Sequence, residues 1–171
     1  MKPYYKEYSE INIARCNLSF VYFNLKEGFW LPKLENSDVV KHVLQTLITI
    51  SSRKTTSGHA ISTLYESVIK LKSKYSFLKH IEIKDTRFME LDDPVTVMSE
   101  IDGVKSNNIG RALYDIIKTM NSNLGKDAGY FFIKELKNRM KEDYVLSIEE
   151  MGVDLGLMQL EFEVNEMTKK L

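Results

Sequence analysis

Cysteine is almost missing from this chain. Cys16 is the only one in 171 residues, so no intrachain disulfide can form. Its simplest reading is a small residue in a strand. A reactive thiol needs a nearby cation or helix N-terminus, and the adjacent Arg15 is expected on the opposite strand face. Charge of one sign is missing too: 24 basic residues balance 24 acidic ones, giving a formal net charge of zero. No long-range field therefore draws the chain to nucleic acid or to an anionic membrane, and neither is an expected partner. No apolar run approaches the length needed to cross a bilayer. Met1 to Glu10 is polar, charged and tyrosine-rich, without the apolar core of a signal peptide. Together these absences lead to the expectation of a cytoplasmic protein.

Chemical signatures are equally sparse. There is no G-x-S-x-G, no S-x-x-K with its partners, no Rossmann glycine pattern and no Walker A loop. His42, His59 and His80 fall in three different segments, with no ligand spacing among them, so no metal and no cofactor are expected. Asp92-Asp93 and Glu149-Glu150 are adjacent pairs whose members point in different directions, so neither is by itself a catalytic dyad. Catalytic residues are not assigned.

What is present is a core and a repeat. Hydrophobic residues make up 43% and charged residues 28%, enough apolar material for a substantial core. The length favours a single domain over residues 1–171, with two small halves as the alternative. Val40, Val43, Leu44, Leu47 and Ile48 form a helical stripe, and Ile109, Ala112, Leu113, Ile116 and Ile117 repeat it roughly 69 residues later. Ile61, Leu64, Tyr65 and Val68 form a second stripe, matched by Gly129, Phe132, Ile133 and Leu136. Met89 and Leu91 correspond to Met158 and Leu160. The repeat-like halves are approximately residues 11–78 and 81–164.

The pattern along the chain predicts an α+β fold. Residues 11–25 alternate as strand or hairpin. A helix is expected from Ser37 to about Ser51 and another from about His59 to Lys74, with Ser57 as its cap. Ile81-Glu82-Ile83 begins a strand that returns over residues 87–91, and Pro94 stops it. A third helix starts near Asn107 or Asn108 and ends near Asn121; a fourth covers residues 126–142. Residues 146–155 read as irregular. Met158, Leu160, Phe162 and Val164 alternate with Gln159, Glu161 and Glu163, which predicts a final half-buried strand. The expected architecture is an antiparallel sheet packed by two helix pairs: strand–helix–helix repeated, then a last strand. This order resembles that of the vesicle-tethering transport-particle subunits and the related vinyl-reductase-type ligand-binding domains. The resemblance is one of topology, and no residue role is carried over from it.

Two groups of residues are candidate sites. Arg53, Lys54, Thr55, Thr56, Ser57 and Gly58 join two cations, three hydroxyls and a glycine directly before a helix. Free N–H groups there favour an anion such as a phosphate or carboxylate; the alternative is a solvated turn with an ordinary cap. The second group is aromatic. Phe29 and Trp30 sit in a loop closed by Pro32, and Tyr130 and Phe131 lie off the inward stripe of the fourth helix. These four are candidates for an interface. The expected function is a non-enzymatic regulatory or assembly module that binds a protein partner or itself, as a homodimer. The alternative is a small-ligand protein or enzyme for an anionic compound.

Overall fold

The computed structural model describes residues 33–53, 55–84, 93–124 and 131–168. The chain divides into two compact units, Met1–Lys33 and Leu34–Leu171, and every element below belongs to the second. That unit is mostly helical, with one small antiparallel sheet of two strands, and so falls in the α+β class.

Helix α1, Asn36–Ser52, is the centre of the packing. Val39, Val40, Val43, Leu44 and Leu47 are all buried on it, and it meets α2 (Ser57–Leu71), α3 (Ser106–Asn123), α4 (Phe132–Arg139) and α5 (Glu142–Glu150). The stripe of α3 is buried as expected: Ile109, Ala112, Leu113, Ile116 and Ile117 are each 1% exposed or less. Leu47, Leu64 and Leu136 have no exposed surface. The helical spacing of apolar residues thus sets both helix positions and their inward faces.

Polar contacts join these layers. Asp115 on α3 accepts from Lys74 Nζ at 2.7 Å and from the Tyr75 hydroxyl at 2.8 Å, just past α2. Burial pushes its carboxyl upward, and the bonds from Lys74 and Tyr75 together outweigh that, so its pKa lies below the ordinary carboxylate value. At the other end of the core, Ser37 donates from its backbone N–H to Asp102 Oδ1 at 2.7 Å and from its hydroxyl to Oδ2 at 3.1 Å. Asn36 Nδ2 donates to the Val104 carbonyl, and Ser106 Oγ donates to Asn36 Oδ1. No side chain caps α1 locally from Glu35, so a carboxylate far along the chain takes that role.

Four expectations need correction. The partner of β1 (Ile81–Ile83) is β2 (Val95–Val97), in register Ile81↔Val97, Glu82↔Thr96 and Ile83↔Val95. Pro94 therefore precedes a strand instead of ending one: it lacks an N–H, and its carbonyl accepts from Lys84 N–H at 2.9 Å. Residues 87–91 lie outside the described residues, as do Met89 and Leu91. Thr56, not Ser57, caps α2, its hydroxyl accepting from His59 N–H. The expected fourth helix ends early, at Arg139. Met140 turns extended to bury its side chain, and Glu142 and Asp143 favour a new helix start, so residues up to Glu150 are helical and not irregular.

The fourth correction is the largest. The expected final strand is a helix, α6, Leu155–Thr168. Gly152, at φ 91°, ends α5 in the left-handed region that glycine tolerates. Asp154 then caps α6: its carboxylate accepts from Leu157 N–H at 3.0 Å. Leu155 and Met158 are buried, and Phe162 packs against the same core. Alternating apolar residues arise here because the helix is apolar on two opposite sides. The order that resembled transport-particle subunits required a strand at this place, which the described residues do not contain.

Candidate functional site

The second apolar side of α6 faces outward. Leu157, Leu160, Val164 and Met167 are 53%, 56%, 50% and 62% exposed. With about 100° between successive helical residues, this stripe is centred roughly 190° from the inner stripe of Leu155, Met158 and Phe162. Its spacing of three, four and three residues is the seam pattern of helix–helix pairing. Tyr114 on α3 donates its hydroxyl to Glu161 at 2.8 Å, and Gln159 Nε2 donates to Glu163 at 2.8 Å. Packing of α6 on α4 holds the helix against the domain, so its outer side chains are presented by a fixed scaffold.

Of the aromatic candidates, Phe131 is described. It stands just before α4 and is 61% exposed, while Phe132 and Ile133 beside it are buried. The sequence reading places it on the helix, off the inward stripe; in the structure it precedes the helix. Phe29, Trp30 and Tyr130 lie outside the described residues.

The turn before α2 uses its polar groups internally. Arg53 pairs with Glu135 of α4 at 2.7 Å, and Glu135 also accepts from Arg139 at 3.0 Å. The Thr55 hydroxyl donates to the Ser51 carbonyl, and the Thr56 hydroxyl caps α2. Ser57 and Gly58 form the first turn of α2. Lys54 lies outside the described residues. A groove of about 400 Å³ lies at the opposite end of α2, lined by Tyr65, Ile69, Lys72, Lys79, Glu82 and Met98 among others. Tyr65, Ile69 and Met98 are exposed there, so Tyr65 leaves the buried stripe to which its spacing assigned it.

Two of the other candidates for chemistry, Asp93 and His42, are engaged in packing the fold. Asp93 accepts from Lys41 at 2.6 Å, from Gln45 at 2.9 Å and from Val95 N–H at 3.1 Å, tying β2 to α1. His42 stacks on Tyr144 of α5, ring centroids 3.9 Å apart. Burial, and then the nearby Lys141 charge, hold its imidazole below the ordinary value of 6.5. Its Nε2 is buried without a hydrogen-bond partner among the described residues. No group of three or more His, Cys, Asp or Glu among the described residues is placed to hold a metal ion. Among them no helix is long and apolar enough to cross a membrane.

In the sequence the outer stripe of α6 is hidden, because its alternation reads as a strand. The signal that reveals it is Asp154 as a cap, followed by apolar residues that sort into two helical series, 155/158/162 and 157/160/164/167. Comparison of the chain with protein families, with curated proteins and with solved structures gives no match.

Proposed function

We propose that this chain is a non-enzymatic regulatory or assembly module that binds a protein partner or a second copy of itself. The observation that carries the reading is the outer stripe of α6: four large apolar side chains, each at least half exposed, in a helix-pairing pattern. Exposed Phe131 adds a second apolar position on the same domain. A cytoplasmic location belongs to the same reading, supported by the lone Cys16. So does the internal duplication, which the matching buried stripes of α1 and α3 support.

The alternative, a small anionic ligand at Arg53 to Gly58, has less support. Arg53 faces Glu135, and the Thr56 hydroxyl already serves α2. Native mass spectrometry of the purified full chain over a range of concentrations separates the two. The expected species is a dimer or a complex with a second polypeptide. A monomer that retains a small anionic compound would replace the assembly reading with the ligand reading.

A further inference from the structure

Resting on the assembly reading, we infer that the outer face of α6 docks an amphipathic helix whose apolar stripe is bordered by lysine or arginine, and not the α6 of a second copy. The charge of the stripe's borders selects this occupant. Glu161 and Glu163 lie roughly 80° to either side of the stripe's centre, at a helical step of about 100° per residue. These are the border positions that set partner choice in paired helices. Residues 155–168 contain Glu161, Glu163 and Glu166 and no lysine or arginine. A second α6 laid on the stripe in either direction sets carboxylate borders against carboxylate borders, which is repulsive. A basic border meets attraction on both sides.

A basic helix gains charge-assisted bonds to Glu161 and Glu163 in addition to the apolar contact. The stripe supplies the contact area, and the acidic borders supply the selectivity.

The test uses the full chain and two labelled helical peptides with the same leucine stripe, one bordered by lysine and one by glutamate. Sedimentation velocity first gives the oligomeric state, and fluorescence anisotropy then gives binding. The lysine-bordered peptide should bind saturably, more weakly at high salt, and at least tenfold more tightly than the glutamate-bordered one. Leu160→Asp should abolish binding with circular dichroism unchanged, since Leu160 is exposed. The double variant Glu161→Lys/Glu163→Lys leaves the stripe intact and should reverse the peptide preference. Equal binding of both peptides overturns the inference. So does a wild-type dimer that Leu160→Asp converts to monomer, although the assembly reading then survives. A monomer that binds neither peptide overturns the inference and removes the support that α6 gives to assembly.

Discussion

Gly110 and Met151 are in backbone contact. A Cβ built on Gly110 in α3 would lie 2.0 Å from the Met151 carbonyl oxygen, at the end of α5. Backbone cannot swing aside as a flexible side chain can, so α3 and the turn after α5 meet only because residue 110 has no side chain. Gly110→Ala should therefore destabilise the protein by about 1–3 kcal/mol or more, despite alanine's better helix propensity. Urea unfolding measures this, and a gain in stability would mean that the contact is looser than described.

Leu113 probes the core directly. It is 1% exposed and lies in the stripe that α3 turns inward. Leu113→Ala should cost about 2–5 kcal/mol through lost burial and a cavity. A shift in chemical denaturation below roughly 0.5 kcal/mol would place the residue at the surface.

His42 links stability to pH. Its folded pKa is below the ordinary value of 6.5, so the unfolded chain takes up the proton first as pH falls. The stability that neutral His42 contributes is complete above the unfolded value and is lost as pH drops toward the folded one. His42→Phe keeps a ring against Tyr144 and removes the proton. Between about pH 7 and pH 5, wild type should lose more stability in urea than the variant does. Equal losses would show that another group is responsible.

Phe131 tests association away from the stripe on α6. The residue is 61% exposed, so Phe131→Asp should keep its helical content by circular dichroism. If a second copy covers the ring, the lost burial of about 1.5–3 kcal/mol should weaken the dimer by tenfold or more in sedimentation velocity. Unchanged association would remove Phe131 from the interface.

The parts of the fold legible in the sequence were those with one apolar face. In α1 and α3 every residue of the proposed stripe is buried, because a helix lying on a core has a single inward direction. The parts that misled had two. In α6 the inner series and the outer series interleave into an alternation that reads as a strand. β2 is hidden for another reason: Val95-Thr96-Val97 alternates, but three residues are too few to identify a strand, which is defined by pairing with Ile81–Ile83. The exposure of Phe131 is legible because Phe132 and Ile133 already fill the inward face. The fate of Arg53 is not, because Glu135 is 82 residues away and only the packing of α4 against α1 brings the two charges together.

The carboxylate that completes the start of α1 has a temporal consequence. Asp102 lies 65 residues beyond Ser37. A chain made from its N-terminus has both α1 and α2 synthesised before the group that satisfies the Ser37 N–H exists. Until then that N–H has only water to bond. Closing so long a loop carries an entropic cost that only the assembled core repays. The opening turn of α1 is thus left without this partner until the turn that carries Asp102, which follows β2 and precedes α3, has been made.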